Sequence, residues 1–275
     1  MLRLVFGLAA FGAIVAAGSP ARAWWDAGHM QIAAVAYQHL TGPVKDRVDV
    51  LLRLNKDYAK WTAGAPDEMT AKQWAFVHAA TWADDIKMKS YGYTRDSAAS
   101  PTAGQNIGYD DHNQHDYWHY KDLGFSPDGT PLLPPNAVDA VTQLHLMIAA
   151  LPASSGASDE LRSYDLVWIL HLVGDVHQPL HAVTRFTREL PSGDRGGNSE
   201  QVIPATGETV ALHAYWDGIF GGYSSAAGAI FDSGGQDGIA NIDPNPEMAK
   251  IDDPECWVEE SAALAIPHSH ARICV

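Results

Sequence analysis

The chain is poor in cysteine, in positive charge and in long hydrophobic runs. Only two of its 275 residues are cysteine, Cys256 and Cys274, which leaves no room for a disulfide-rich scaffold or a cysteine-based zinc site. An even pair near the C-terminus of an exported chain is expected to form one disulfide that ties down the tail, contributing about 3 kcal/mol in the chain-entropy picture. Lys and Arg number 18 against 33 Asp and Glu, for a net charge of −15. Such a chain does not hold nucleic acid through a broad basic face, because that mode draws its free energy from Lys and Arg displacing counterions. Phosphate chemistry would need another source of positive charge, and clustered divalent cations held by acidic side chains are one. No run approaches the roughly 20 apolar residues that span a bilayer, so no membrane anchor is expected. Strand-like alternation is scarce, and there is no internal repeat.

What is present begins with a leader. Arg3, the apolar run Leu4 to Ala17 and the small-x-small sequence Ala21-Arg22-Ala23 read as a signal peptide over residues 1–23. The remaining 24–275 is expected to form one large domain, secreted or periplasmic. Apolar residues recur at helical spacing over 28–40, 44–54, 71–89, 136–151, 159–176, 210–220 and 253–265, with Gly, Pro and Ser clusters between them. This pattern predicts an all-α fold, with at most a small β-hairpin from Gln201–Ile203 and Glu208–Val210. The segments 90–118, 182–209 and 221–250 read as long loops.

The densest chemistry lies between His171 and His181. A helix would put His171 and Asp175 on one face, one turn apart, with His181 just past Pro179. His213 and Asp217 repeat the spacing, and imidazole with carboxylate is a donor set that zinc accepts. Trp24 to His29, Thr81 to Asp85, Tyr117 to Asp122 and Gly196-Gly197-Asn198 add further candidates. Clustered zinc ions would lower the pKa of a bound water and polarise a phosphoryl group, so no side-chain nucleophile is required.

Taken in order from Trp24 to Asp217, these segments resemble the zinc-dependent, single-strand-preferring nucleases of the S1/P1 type, distant relatives of the zinc phospholipases C. The resemblance implies a single mainly helical domain and three zinc ions per chain. Asp84, His119, His171 and Asp175 would hold the first, and His181, His213 and Asp217 the second. The third would take Trp24, through its amino nitrogen and carbonyl oxygen, with His29 and a bridging Asp175. Only cleavage after Ala23 would free that amine. Asp84 would also orient the attacking water, and Lys87 would steady the phosphate unless it is an ordinary surface lysine. Tyr120, Asp122 and Asn198 would form a base pocket. Implied too are hydrolysis of single-stranded DNA and RNA to 5′-phosphate products, 3′-nucleotidase activity and a monomer. A phospholipase C and a zinc-binding protein without turnover are the alternatives. Asp85, Asp110, Asp111, His112, His115 and Asp116 are expected to be solvated loop residues, His177 to face away from the cluster, and His78, His268 and His270 to be structural or surface groups.

Overall fold

The computed structural model describes residues 24–222 and 224–266. The proposed leader, Cys274, His268 and His270 therefore lie outside the described residues. Among the described residues, helix accounts for 51% and strand for 5%, as an all-α fold requires. The described residues form eleven α-helices: α1 (Asp26–His39), α2 (Gly42–Leu52), α3 (Tyr58–Trp61), α4 (Glu68–Ala79), α5 (Trp82–Asp85), α6 (Ala140–Ala150), α7 (Asp159–Val176), α8 (Pro179–Ala182), α9 (Leu212–Asp217), α10 (Ala226–Ser233) and α11 (Pro254–Ala265). Among the described residues, no helix is long and apolar enough to cross a membrane.

The longest helix, α7, is the axis of the molecule, with α1, α2, α4, α5, α6 and α11 packed on it. Its N-terminus is set by Ser158, whose hydroxyl accepts from Leu161 N, with Asp159 and Glu160 in the first turn where the helix dipole favours negative charge. On one side, its Tyr164, Trp168 and Leu172 are fully buried with Trp82, Trp118 and Leu144. Trp118 and Trp168 meet edge to face, with centroids 5.0 Å apart. This aromatic core fixes the roll of α7, and so the direction in which His171 and Asp175 point.

The predicted helix over 71–89 breaks into α4 and α5. Thr81 Oγ1 donates back to the His78 carbonyl at 3.0 Å, competing with the helical ladder, and Asp84 N bonds Thr81 O instead of Ala80 O. The Ala80 carbonyl is thereby released for another partner. The segment read as a loop over 221–250 contains α10. Its stripe of Ala226 and Ala229 is small enough to bury against Met30, Ala34 and Val77; a run of only eight residues with Gly228 inside it is too short to stand out in the sequence.

The expected hairpin is present: β3 (Gln201–Val202) pairs antiparallel with β4 (Val210–Ala211). A second small sheet goes beyond the expected pattern. Here β1 (Leu123–Phe125) runs parallel to β2 (Val183–Arg185), in the register Leu123 to Val183, and Lys121 N donates to His181 O just ahead of it. The pair lays the segment from His119 to Asp122 beside that from His181 to Thr184.

Candidate metal centre and nucleotide pocket

Four elements deliver the polar groups of the first cluster. The inner face of α7 brings His171 and Asp175, α5 brings Asp84, the 3-10 turn Asp116–His119 brings His119, and α1 brings His29. His181 sits in α8, which Pro179 starts at its first turn. His213 and Asp217 lie one turn apart on α9. The donor atoms of His29, Asp84 and His171 lie within 4.8 Å of one another, as do those of His119, His171 and Asp175, and those of His181, His213 and Asp217. Every one of these side chains is buried.

Three imidazoles are pinned in the same way. His171 Nδ1 donates to Ala80 O at 2.7 Å, His181 Nδ1 to His119 O at 2.6 Å, and His213 Nδ1 to Gly196 O at 2.7 Å. A carbonyl only accepts, so each Nδ1 carries the proton and each Nε2 turns a lone pair inward. Gly196 is required for this: its φ is +62°, and a Cβ there would run into the Leu180 carbonyl oxygen. Gly174 serves His29 similarly, because a Cβ on it would lie 2.9 Å from His29 Nδ1.

The inward lone pairs are crowded. His181 Nε2 and His213 Nε2 are 3.0 Å apart, and His171 Nε2 lies 3.0 Å from His119 Nδ1. Asp175 Oδ2 is 2.9 Å from His119 Nδ1 and 3.3 Å from His171 Nε2, while Asp175 Oδ1 faces His29 Nε2 at 3.3 Å. His29 Nδ1 and Nε2, His119 Nε2 and Asp175 Oδ1 are buried without a hydrogen-bond partner. Facing lone pairs at 3.0 Å repel unless a proton or cation lies between them, and an uncompensated buried charge costs several kcal/mol. The arrangement fits cations of the kind that imidazole and carboxylate share.

The electrostatics set His171 apart from the other imidazoles: burial opposes its charge, yet Asp175 and Asp84 outweigh that and raise it. Burial, then the neighbouring His171, pushes His29 down; burial and Lys87 take His119 to about 4; burial and His181 take His213 to about 3. His181 is pushed down by burial as well. These neutral imidazoles are ligand-ready. Burial opposes ionisation of Asp84 and Asp175, yet Lys87 with His171 and His119 for the first, and His171 and His119 for the second, outweigh it and hold both low. Burial raises Asp217 to about 9 despite a 2.8 Å hydrogen bond from Gln178 Nε2. With only protein around it, that carboxyl is neutral.

The other predicted residues divide. Trp24 is buried, its indole Nε1 donating to Gly174 O at 2.9 Å, and Trp25 N bonds Asp217 O. The N-terminal segment thus touches both the α7 and α9 ligand groups. Lys87 is no ordinary surface lysine, since its side chain is 6% exposed and its Nζ lies 2.7 Å from Asp84 Oδ1. Tyr120, Asp122 and Asn198 line a cavity of about 440 Å³ that opens onto His119, His181 and His213. Within it Asp122 Oδ1 accepts from Thr184 Oγ1 at 2.5 Å, and Asn198 Nδ2 is spent on the Arg195 carbonyl at 2.8 Å. Burial raises Asp122.

A model of the S1/P1 nuclease family matches residues 24–269. The chain belongs to the S1/P1 nuclease family. Membership supports a nuclease or phosphodiesterase activity, and with the His and Asp groups it points to metal binding. No curated protein matches the chain.

Some contributors to this S1/P1 site escape the sequence reading. Gln178, fully buried as the N-cap of α8, donates to Asp217 and accepts from Leu180 N; its place between Asp175 and His181 is the available signal. Phe186, Pro134, Pro135 and Arg195 complete the cavity wall. Asp111 and His115, expected to be solvated, are buried instead. His115 Nε2 meets Asp111 Oδ2 at 2.8 Å and its Nδ1 meets Asp96 Oδ2 at 2.8 Å. The polar loop expectation fails because Tyr117 and Trp118 drag this segment inward: the His115 ring stacks on Trp118 at 3.6 Å. His177 is exposed, as its place on the helix predicts.

Proposed function

We propose that the chain is a zinc-dependent phosphodiesterase that hydrolyses single-stranded DNA and RNA to 5′-phosphate products and removes phosphate from 3′-nucleotides. The observation that carries this is one cavity of nucleotide size onto which two of the three His and Asp donor groups open, through His119 and through His181 and His213, while the third joins them by sharing His171. Asp84, His119, His171 and Asp175 would hold a first zinc, His181, His213 and Asp217 a second, and Trp24, His29 and Asp175 a third once cleavage after Ala23 frees the Trp24 amine. Zinc bound there would supply a water of lowered pKa and positive charge toward the phosphoryl oxygens.

The chain's own residues do the rest. Asp84 is held ionised by Lys87, which leaves its other oxygen to orient the attacking water, while the Lys87 ammonium faces the incoming phosphate. Tyr120 offers a stacking face, and Asp122 and the Asn198 carbonyl oxygen offer acceptors to a base edge. A base reaches that wall only when unstacked and unpaired, which supports preference for single strands. The same acceptors suit a nucleobase better than a choline-type head group, which weighs against a phospholipase C.

The test is metal analysis of the protein starting at Trp24, paired with hydrolysis of single-stranded DNA, RNA, duplex DNA, a 3′-nucleotide and phosphatidylcholine. Three zinc ions with turnover of single strands and 3′-nucleotide is the expected result. A stoichiometry near one overturns the trinuclear assignment, faster cleavage of phosphatidylcholine overturns the substrate, and tight zinc without turnover leaves a storage protein.

A further inference from the structure

Around the cavity, cations are nearly all spoken for. Arg95 Nε bonds Asp116 Oδ2 at 2.8 Å, and Lys87 is held by Asp84. Lys121, next to Tyr120, bridges Asp139 and Glu255, and Arg185, next to Thr184, pairs with Glu200. Arg195 differs. It lines the cavity and is exposed, and among the described residues it forms no ion pair.

Its backbone is held in an unusual place. Arg195 has φ +59°, a left-handed conformation that non-glycine residues rarely adopt, and Gly196 and Gly197 continue at +62° and +79°. The Asn198 amide nitrogens pin the Arg195 carbonyl, from Nδ2 at 2.8 Å and from the backbone at 3.3 Å. The next carbonyl, of Gly196, is the one that orients His213. One tight turn therefore aims the His213 imidazole and carries, on the same cavity wall, a guanidinium with no ion pair among the described residues. Strain retained at such a position points to a use for the side chain. The charge of Arg195 reaches Tyr120, Asp122 and His213, all on the cavity wall.

We infer that Arg195 binds a phosphate of the substrate strand other than the one being cleaved, and so sets the preference for a nucleic-acid strand over a mononucleotide. A guanidinium fork suits a phosphodiester, which offers two non-bridging oxygens. A mononucleotide placed with its phosphate at the His and Asp cluster has no second phosphate to give. Arg195 is the only described cavity-wall cation without an acidic partner, in a chain of net charge −15. It makes the difference between tolerating a polyanion and gripping one.

Arg195 has this role only if the nuclease reading holds, and the measurements separate the two. The zinc-loaded protein and its Arg195→Ala, Arg195→Gly and Arg195→Lys variants are compared on a short single strand and on a 3′-nucleotide. Binding of a phosphorothioate strand is followed by fluorescence anisotropy over a range of salt. Arg195→Gly relieves the left-handed backbone while removing the guanidinium, so it parts strain from charge, and zinc content reports any disturbance of His213. In both Ala and Gly variants KM for the strand rises about tenfold more than KM for the nucleotide. The salt slope of binding falls by about 0.7, the share of one neutralised phosphate on a single strand. Arg195→Lys keeps the slope and loses part of the affinity. Equal losses on both substrates place Arg195 at the scissile phosphate, and a loss that changes with the base places it on the base edge. Either result, or an unchanged salt slope, overturns the assignment. A parent protein that cleaves neither substrate overturns the nuclease reading itself and this role with it.

Discussion

The buried cluster around His115 and the one around Asp175 use the same residue types, histidine and aspartate, and are built on opposite terms. Around His115 the polar atoms are satisfied: the ring is held between Asp111 and Asp96, Tyr117 donates to Asp96 Oδ2 at 2.6 Å, and the imidazole stacks on Trp118. Around Asp175 the donors are aimed at one another and buried atoms are left over on His29, His119 and Asp175. The contrast separates two buried arrangements of the same residue types by whether the protein itself satisfies their polar atoms. Only the second leaves buried valence unused, as a metal centre requires. The satisfied cluster is a brace for the turn that presents His119; the unsatisfied one is a receptor.

The sharpest way to break this contrast is Asp175→Asn, which keeps shape and removes the charge shared by His29, His119 and His171. Zinc content should fall and hydrolysis drop by about 10³-fold or more, with the chain still folded by circular dichroism. Full metal content in that variant would show that the leftover valence is not the receptor. Next is His115→Ala, which leaves Asp96 and Asp111 without their common partner. It should cost roughly 3 kcal/mol in denaturant unfolding while zinc per folded molecule stays at the parent value. Parallel loss of metal would merge the two clusters into one site.

A smaller effect is expected at Gln178→Ala, which releases Asp217. Affinity for the ion on His181, His213 and Asp217 should weaken about 10- to 100-fold, read by competition with a chelator, with the other ions undisturbed. The smallest concerns a third kind of buried acid. Asp165 is fully buried on α7, its Oδ1 bonded by Asn106 Nδ2 at 2.7 Å, and burial raises it to about 7. Between about pH 4, where the unfolded chain releases this proton, and pH 7, the native state holds a proton that the unfolded state lacks. Stability therefore declines as pH rises through that window. Asp165→Asn should flatten the decline and gain on the order of 1 kcal/mol at pH 8, since its amide remains partly unpartnered. An unaltered pH profile would place the buried ionisation elsewhere.

Much of the fold is legible in the sequence because helical periodicity is local. The bounds expected for α7 agree with the structure, and α1, α2, α6 and α11 differ by only a few residues at their ends. The misses have specific causes. At Thr81 a hydroxyl bonding back to His78 ends a helix whose apolar pattern runs on, and α10 is too short to stand out. The β1–β2 pair joins segments some sixty positions apart, which no local pattern announces. The donor residues are legible for a different reason: His and Asp repeating at one-turn spacing in two places is a rare coincidence. His115 and Asp111 show the limit of that logic, because the same residue types in a polar stretch form a buried brace.

The sequence by itself determined which donors exist, that His171 shares a helix face with Asp175 and His213 with Asp217, and that the chain is too acidic to hold phosphate through its general surface. The tertiary structure decided which ring nitrogen each histidine turns inward, since the carbonyls that settle it come from Ala80, 91 positions from His171, and from His119, 62 positions from His181. It also decided that Lys87 is buried against Asp84 while Arg195 stands unpaired at the cavity. Spacing along a helix is a property of neighbours in the chain. Whether a polar atom is satisfied depends on what the rest of the fold brings within about 3 Å of it, and that is known only once the chain has packed.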